Sequence, residues 1–493
     1  MNILGISGGY HDAAATVIDR HGDIVFAGHS ERYSKLKNDA NLSDGLISEL
    51  CGYEFDTIAY YERPWMHNLQ QLYTGQRDLH AWTTRGAIRQ QLGAWYSRPA
   101  RKEVAYSHHL SHAASGFQTS PFDRATVVVI DAIGEFDTIS IYGAEYDRAG
   151  TAVYKRLWGQ KYPHSIGLFY SAITARLGLR PLDEEYITMG MAAYGSTMSS
   201  VLMHSQLIQS VDKVQFKENL HLGLPKDAFN GYTDYDIAAG AQLVAEELIY
   251  SVMRRARDFG WSTNLVYQGG VALNCLANRN LGEYFENIWI MPCPGDAGSS
   301  LGAAALAYGG RLNWRNAYVG RNIPGAYPVN ACLDHLLSDR IVGVASGRAE
   351  FGPRALGNRS LLADPRGMDI KDKVNEIKRR QKFRPFAPVI LAEHVDAFFD
   401  MPCGWHTSDY MQSVGRCRMP DLYPAIVHHD GTSRVQTVPD NGSGIRRLLE
   451  AWYAATGCPM LLNTSLNIRG EPMVNDRADA DRFEALYGVK VCS

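Results

Sequence analysis

The feature that most constrains the fold of this chain is a repeated order of short apolar runs, each closed by glycine or an acidic residue. Thr126–Ile130 is such a run and stops at Asp131, and Leu265–Tyr267 leads into Gly269. A segment of helical character follows each run, which is typical of alternating strands and helices. The sequence therefore predicts an α/β fold with polar loops at strand ends, where open sheets bind their ligands.

The length of 493 residues exceeds what one ordinary core accommodates, so more than one domain is expected. A passage rich in proline and glycine, Val319–Pro328, separates two α/β-like blocks. We therefore predict domains at 1–328 and 329–493, with a less regular insertion at 196–235 that could shape a substrate pocket. Further predicted strands are Asn2–Ser7, Ala13–Ile18, Ile288–Met291 and Ile341–Ala345.

Composition narrows the class of protein. The formal net charge of −3 carries no polycation signature, so neither nucleic acid nor an anionic membrane is demanded as a partner. The eight cysteines are scattered without a C-x-x-C pair, which disfavours a disulfide framework or a zinc knuckle. With neither a signal peptide nor an apolar stretch of ~18 residues, the chain is expected to be cytoplasmic and not membrane-bound.

A candidate metal site begins with His108 and His112, which share one helix face because they are four residues apart. An isolated pair of this kind is more often a surface feature. Two acidic residues at strand ends, Asp131 and Asp296, raise the case for a metal, and this ligand set suits iron(II), manganese or zinc better than magnesium. His109 points elsewhere on the helix and is expected to be structural or to face a substrate.

Glycines after strands indicate a nucleotide site, although such glycines often mark a simple turn. Gly269 and Gly270 follow a predicted strand and precede Asn274, whose amide could contact a ribose or a base edge. Gly134 lies in a similar turn after Asp131, where backbone N–H groups could hold phosphate or metal-bound oxygen.

A basic region in the second half predicts a buried anion site for a phosphorylated small molecule. A plain run of charge is usually a solvated face. Here the cations of 347–360 and 378–384 alternate with glycine, proline and phenylalanine, which suits bidentate capture of phosphate oxygens by arginine. The candidate residues, two neutral donors included, are Arg348, Arg354, Lys378, Arg384, Asn463 and Ser465.

Together these segments strongly resemble the O-carbamoyltransferase family that includes the nodulation protein NodU and the tobramycin and cephamycin carbamoyltransferases. The segments run in family order over nearly the whole chain, and two of them, GRAEFGPRALGNRS and FRPFAP, are long and specific. The matching segments are HDAAATV (11–17), ERYSKLKND (31–39), HHLSHAAS (108–115), DAIGEFDT (131–138), PHSIGLFY (163–170), MGMAAYG (189–195), QGGVALN (268–274), PGDAGSSLGAA (294–304), GRAEFGPRALGNRSLLADPR (347–366), FRPFAPVI (383–390) and NTSLNIRGEPMV (463–474).

The resemblance implies an N-terminal domain of the actin/hexokinase (ASKHA) type and a C-terminal domain like YrdC. It implies that carbamoyl phosphate and ATP, with Mg²⁺, form carbamoyl-adenylate in the C-terminal domain. The carbamoyl group then passes to an acceptor hydroxyl beside an Fe²⁺ ion (or Mn²⁺ or Zn²⁺) in the N-terminal domain. The implied metal ligands are His108, His112, Asp131 and Asp296, and the implied phosphate-handling residues are Arg354, Lys378 and Arg384.

The resemblance also aligns His11 and Lys37 with polar residues near the transfer site. We hypothesise that His11 accepts the hydroxyl proton and that Lys37 stabilises the developing oxyanion. The sequence departs from the family pattern at Ile187 and Gln381, where a lysine and a glutamate are usual.

The acceptor stays open at this stage. A sugar, an antibiotic or a nucleoside is expected, and the alternative is a 5-hydroxymethylpyrimidine in a nucleotide or in DNA, which needs little surface charge if its base is flipped. An alternative of another class is a non-catalytic, nucleotide-binding regulatory or assembly protein on the same scaffold. A homodimer is compatible with the sequence.

Overall fold

A computed structural model describes residues 2–76, 78–96, 100–381, 384 and 386–493. The chain divides into two compact units, Met1–Val25 with Ala40–Trp314, and Phe26–Asp39 with Arg315–Ser493. Both units mix strands and helices, which confirms the predicted α/β class. The observed division differs from the predicted one because it falls at Trp314 and because a short N-terminal segment belongs to the second unit.

Strands and α-helices alternate along most of the chain, and the labels used below follow chain order. The strands are β1 (Ile3–Ser7), β2 (Ala14–Ile18), β3 (Ile24–His29), β4 (Thr57–Tyr60), β5 (Lys102–Ala105), β6 (Arg124–Gly134), β7 (Asp137–Tyr146), β8 (Ala152–Lys161), β9 (Ile208–Ser210), β10 (Gln215–Phe216), β11 (Asn264–Gln268), β12 (Asn287–Trp289), β13 (Tyr318–Ile323), β14 (Ile341–Ala345), β15 (Gly347–Glu350), β16 (Arg359–Ala363), β17 (Ala387–Leu391), β18 (Phe399–Asp400), β19 (Val414–Cys417), β20 (Thr432–Arg434), β21 (Gln436–Val438), β22 (Met460–Ser465) and β23 (Val491–Cys492). The α-helices are α1 (Glu31–Ser34), α2 (Asp44–Leu50), α3 (Pro64–Tyr73), α4 (Thr84–Leu92), α5 (His108–Phe117), α6 (Ile166–Arg176), α7 (Glu185–Met191), α8 (Ser199–Leu207), α9 (Asp234–Asp258), α10 (Cys275–Asn278), α11 (Asp296–Tyr308), α12 (Val329–Ser338), α13 (Met368–Ile377), α14 (Val395–Phe398), α15 (Gly444–Thr456) and α16 (Arg477–Tyr487).

One sheet of the first unit is built around β1, which pairs antiparallel with β2 and parallel with β4, with β5 parallel to β4 beyond it. Every residue of β1, β2 and β4 is buried, as expected for strands covered on both faces. Helix α11 packs so closely on β1 that a Cβ atom at Gly5 would lie 2.9 Å from that of Ala304. Glycine in the strand therefore sets the depth at which α11 lies.

The second sheet of this unit has the order β12-β11-β6-β7-β8. Strand β6 lies parallel to β11 and antiparallel to β7, and its residues from Ala125 to Asp131 are buried. Helix α5 covers this sheet through Ala113 and Phe117, which pack in one cluster with Val127 and Val266. The helix that carries the paired histidines is thus fixed to the strand that carries Asp131.

The second unit is organised by a six-stranded sheet of order β21-β17-β22-β16-β14-β23. Its apolar cluster includes Val344, Leu361, Ile390, Trp452 and Leu461, all 1% exposed or less. Strands β14, β16 and β17 are buried along their lengths and β22 over its first four residues, and each of them contains an apolar run, as expected for strands covered on both faces.

The separator predicted at Val319–Pro328 needs correction. The passage Val319–Pro328, predicted as a separator, contains most of β13, which pairs antiparallel with β15 inside the second unit. Buried Val319 and Ile323 place this passage in a strand despite its glycines and prolines. The insertion at 196–235 holds regular structure in α8, β9 and β10. In the described part of the chain, no helix combines the length and apolarity needed to cross a bilayer, and all eight cysteines are free.

Candidate active site

The paired histidines lie in the first turns of α5, as their spacing predicts. Ser107 is extended and precedes the helix, which begins at His108 and brings His112 one turn later onto the same face. Both imidazoles are buried, at 3% and 0% exposure, and their Nε2 atoms lie 3.0 Å apart. Two polar rings this close in the interior require compensating groups.

Asp131 and Asp296 supply that compensation from two other elements. Asp131 lies in β6, and Asp296 is the first residue of α11. Nε2 of His112 is 3.1 Å from Asp131 Oδ2 and 3.1 Å from Asp296 Oδ1, and Nε2 of His108 is 3.3 Å from each. One ligand atom from each of the four residues falls within 4.8 Å of all the others. The predicted ligand set therefore converges.

The charges of this group compensate one another. Burial by itself would lower the pKa of His108, but the Asp296 and Asp131 carboxylates outweigh it and raise that pKa well above its usual value. The pKa of His112 is raised for the same reason, and the two imidazoles hold the pKa of Asp131 well below its usual range against burial. The two carboxylates thus favour positive charge at the imidazole nitrogens, as they would favour a divalent cation bound between them.

The donor set fits a borderline cation. Two imidazole nitrogens and two carboxylate oxygens suit Fe²⁺, Mn²⁺ or Zn²⁺ better than Mg²⁺. His109 does not belong to this group of four residues. Its Nδ1 lies 2.8 Å from Ser140 Oγ, and burial lowers its pKa well below the usual value. His109 is therefore a neutral packed residue of the same helix.

His11 lies at the edge of this centre. Its Nδ1 is 2.9 Å from Asp12 Oδ2 and its Nε2 is 3.5 Å from Asp296 Oδ2. Burial opposes the charge on this ring, but the Asp296 and Asp12 carboxylates prevail and raise its pKa to about 9. In the metal-free protein His11 is therefore protonated at neutral pH.

A cavity of about 250 Å³ opens beside His108, Asp131 and Asp296, within the first unit. Its lining includes the polar residues Tyr10, His11 and His67 and the apolar residues Leu168 and Leu182. The cavity therefore places polar and apolar walls next to His108, Asp131 and Asp296, as a site for an organic acceptor requires.

Sequence reasoning missed Glu62 and His67, which extend the polar network of this centre. Glu62 is 5% exposed, and its carboxylate oxygens lie 3.2 Å from His67 Nδ1 and 3.5 Å from His108 Nδ1. Glu62 follows β4 by two residues. An acidic residue at or just after a buried strand is the pattern that pointed to Asp131, and the same pattern could have pointed to Glu62.

The glycines predicted for nucleotide binding lie next to the metal ligands. A Cβ atom at Gly134 would lie 2.5 Å from His108 Cδ2, so glycine here lets β6 pass close to the imidazole. Gly269 has a positive φ of +91°, and the N–H of Gly270 lies 3.4 Å from Asp131 Oδ1. Asn274 caps α10 by accepting from Ala277 N–H at 3.1 Å. Nucleotide contact by these residues stays a prediction.

The predicted anion residues belong to the second unit, where Lys378 is buried at the end of α13. Its ammonium donates to the carbonyl oxygen of Ser465 at 2.6 Å, to Ser465 Oγ and to the side-chain oxygen of Asn467. Burial, together with Arg380, Arg384 and Lys37, lowers the pKa of Lys378 well below its usual value. We call Lys37, Lys378, Arg380 and Arg384 the cation cluster.

Lys37 is thus part of the second unit, whereas the sequence grouped it with His11. Asn463 and Ser465 both lie on β22, and Asn463 donates to the Ala355 carbonyl oxygen at 3.0 Å.

The loop that carries Arg354 is folded around Glu350. Oε1 of Glu350 accepts from the N–H groups of Leu356 and Asn358 at 2.8 Å and of Arg359 at 3.1 Å. Arg348 lies on β15, immediately before this loop. Lys382, Phe383 and Pro385 of the predicted basic segment lie outside the described residues.

Comparison with known proteins decides the family. Two family models match the chain: "Carbamoyltransferase N-terminus" over residues 88–305 and "Carbamoyltransferase C-terminus" over residues 333–491. The chain is 31% identical to the nodulation protein NolNO of Sinorhizobium fredii, over 97% of this chain and 80% of that protein. The chain belongs to the carbamoyltransferase family.

Other members extend the likeness. The uncharacterised Synechocystis protein sll1178 is 32% identical over 98% of this chain and 94% of its own length. The 3'-hydroxymethylcephem-O-carbamoyltransferase of Amycolatopsis lactamdurans is 30% identical over 78% of each chain. The resemblance drawn from the sequence is therefore confirmed.

Membership of the carbamoyltransferase family makes this protein a transferase and sets aside the non-catalytic alternative. The two family regions fall separately in the two compact units, 88–305 in the first and 333–491 in the second. The metal ligands lie in the N-terminal family region and the cation cluster, except Lys37, in the C-terminal one.

Proposed function

We propose that this carbamoyltransferase converts carbamoyl phosphate, water and ATP into carbamoyl-adenylate, inorganic phosphate and pyrophosphate, and then transfers the carbamoyl group to the hydroxyl of a small molecule. The observation that carries the proposal is the convergence of His108, His112, Asp131 and Asp296 beside a cavity of the first unit. This arrangement combines a candidate cation site with room for an organic acceptor in a confirmed transferase.

We assign adenylate formation to the second unit, as a YrdC-like domain, and transfer to the first, as an ASKHA-type domain. The cation cluster supports the first assignment, because Lys378 is buried among like charges and contacts neutral oxygens. An incoming phosphate would relieve that repulsion. Arg348, Arg354, Asn463 and Ser465 are proposed as further contacts of carbamoyl phosphate or its adenylate.

His108, His112, Asp131 and Asp296 would hold an Fe²⁺, Mn²⁺ or Zn²⁺ ion, which when bound supplies Lewis-acid polarisation of a carbonyl or phosphate oxygen. His11 is proposed to take the acceptor proton. That role requires its neutral form, and neutralisation of the Asp296 charge would remove the largest cause of its raised pKa. Because Lys37 belongs to the second unit, its role as oxyanion donor stays a prediction alongside the proposed nucleotide contacts of Gly134, Gly269, Gly270 and Asn274.

In the transfer step the acceptor oxygen forms a bond to the carbamoyl carbon. The bond between that carbon and the phosphate oxygen breaks, and AMP leaves with the electron pair. The proton of the hydroxyl passes to His11. Two relatives named for a hydroxymethylcephem substrate support a small-molecule acceptor.

The test is incubation of the full chain with carbamoyl phosphate, MgATP and Mn²⁺, with pyrophosphate and carbamoyl-adenylate measured by mass spectrometry. A panel of glucose, a 3'-hydroxymethylcephem, 5-hydroxymethyldeoxycytidine and its 5'-monophosphate is then screened for a carbamoyl mass gain. We expect pyrophosphate, the adenylate and at least one carbamoylated product. No pyrophosphate and no adenylate would overturn the proposed donor chemistry.

A further inference from the structure

Glu62 is a buried carboxylate between two histidines of the first unit. It follows β4 by two residues and is 5% exposed, so its charge depends on protein partners. Oε1 lies 3.2 Å from His67 Nδ1, and Oε2 lies 3.5 Å from His108 Nδ1. The same carboxylate therefore faces a metal-ligand candidate and a histidine of the cavity wall.

His108 can serve the metal group through only one of its nitrogens. Its Nε2 faces the oxygens of Asp131 and Asp296, at 3.3 Å each. An imidazole that binds a cation through Nε2 keeps its proton on Nδ1. That Nδ1 is buried and makes no hydrogen bond among the described residues, and Glu62 Oε2 lies 3.5 Å from it. A buried N–H without an acceptor costs free energy, so a small approach of the two groups would be favoured.

The surroundings hold the Glu62 carboxylate and the His108 ring in place. The Tyr61 ring packs against the His108 imidazole with centroids 5.2 Å apart. The His67 ring packs against Tyr10 on its other side, at 5.9 Å. His67 thereby fixes one oxygen of Glu62 and leaves the other directed towards His108.

We propose that Glu62 is a positioning residue of the metal centre, which accepts the Nδ1–H of His108 and keeps the Nε2 lone pair on the side of Asp131 and Asp296. His67 supports this function by holding the second oxygen of the carboxylate. The inference rests on the metal-binding part of the proposed function. It does not depend on the identity of the acceptor or on the donor reaction.

The test is Glu62→Gln, with metal affinity measured on metal-free full-length protein by competition titration with Zn²⁺ and Mn²⁺ alone. We expect the dissociation constant to rise about 10- to 100-fold, the usual effect of removing an outer carboxylate partner of a metal-bound histidine. A dissociation constant within twofold of wild type in the folded variant would overturn the proposal.

Glu246→Gln is the matched control. Glu246 is also a buried glutamate of the first unit, 7% exposed, and accepts from Gln242 Nε2 at 2.9 Å. Loss of a buried carboxylate here is expected to leave metal affinity within twofold of wild type. An equal loss in both variants would show a general structural effect and would count against a specific role for Glu62.

His67 offers a conservative rescue. His67→Asn keeps an N–H donor near the position of Nδ1, whereas His67→Leu removes it. We expect His67→Leu to weaken metal binding several-fold and His67→Asn to stay close to wild type. Equal affinities in the two variants would contradict the proposed support by His67.

A spectroscopic readout separates positioning from folding. In Zn²⁺-loaded protein labelled with ¹⁵N-histidine, His108 should show a protonated Nδ1 with a strongly hydrogen-bonded proton, and Glu62→Gln should shift that proton upfield. A protonated Nε2 in the wild type would overturn the proposal even if Glu62→Gln fails to fold. Wild-type protein that binds neither metal would also overturn it, whereas a carbamoylated product in that protein would leave the proposed transfer intact.

Discussion

The candidate metal site of the first unit and the cation cluster of the second unit accommodate buried charge in opposite ways. In the metal centre, imidazoles and carboxylates alternate at 3.1 to 3.3 Å, so the pKa of each group moves towards its charged form. In the cation cluster, burial and like charges lower the pKa of Lys378, which donates to the neutral oxygens of Ser465. The first site combines opposite charges, and the second brings like charges together.

This difference teaches what each site can accept. A His/Asp group of this kind can exchange protons for a cation, so we expect a positive ligand whose affinity depends on pH. A buried lysine close to three half-buried cations gains from a phosphate, so we expect a negative ligand at the cation cluster. In the proposed reaction, the N-terminal family region would therefore bind the cation and the C-terminal family region would bind the phosphate.

The largest expected effect is the loss of metal affinity when a ligand of the candidate metal site is replaced. His112→Asn should lower metal affinity by more than the about 10- to 100-fold typical of outer partners, because a ligand itself is lost. Carbamoyl transfer should fall with it while pyrophosphate release persists. His109→Asn is the matched control on the same buried helix. Metal content by mass spectrometry and product formation check the result, and normal transfer by His112→Asn would contradict the proposed centre.

The next largest expected effect is the loss of pyrophosphate release when the cation cluster is altered. Lys378→Met should reduce pyrophosphate release about 100-fold, as removal of one preorganised charged donor commonly does. Zn²⁺ affinity should stay within twofold, because the metal ligands belong to the other unit. Lys373→Met, on the exposed face of α13, is the control. Wild-type pyrophosphate release by Lys378→Met would refute an anion role for the cation cluster.

A smaller expected effect is the pH dependence of metal affinity. The pKa values of His108 and His112 are raised in the metal-free protein, so protons compete with the cation over the neutral range. Metal affinity should therefore fall as pH is lowered from 8 to 6, by up to about tenfold per pH unit for each proton displaced. Calorimetric titration in two buffers of different ionisation enthalpy measures that release. An affinity independent of pH would contradict the compensated state.

The smallest effect is on thermal stability. Pyrophosphate that binds only the folded second unit should stabilise it by about 2.7 kcal/mol at 100 times its dissociation constant. For a unit of this size about 2 to 4 °C accompanies each kcal/mol. Scanning calorimetry should show the increase in wild type and none in Lys378→Met. An equal increase in the variant would place the anion elsewhere.

Much of the site could be predicted because its signals are local. His108 and His112 are joined by helical spacing, and Asp131 lies at a strand end that an apolar run reveals. Glu62 could not be predicted as readily, because the metal-ligand candidate that it faces, His108, is distant along the chain and a single acidic residue after a strand carries little information. The assignment of Lys37 to the second unit could not be predicted either, because residues 26–39 belong to the second unit while the segments before and after them belong to the first.

The sequence by itself determined the α/β class, the family, and the residue types of both sites. These follow from short-range periodicity and from motifs whose letters are contiguous. Only the tertiary structure decided that four ligand atoms meet within 4.8 Å, that Glu62 faces His108, and that β13 occupies the supposed linker. These features depend on packing between distant segments; Gly134, for example, lets β6 pass close to the His108 ring. They also depend on the low dielectric constant of the interior, where neighbouring charges raise or lower pKa values.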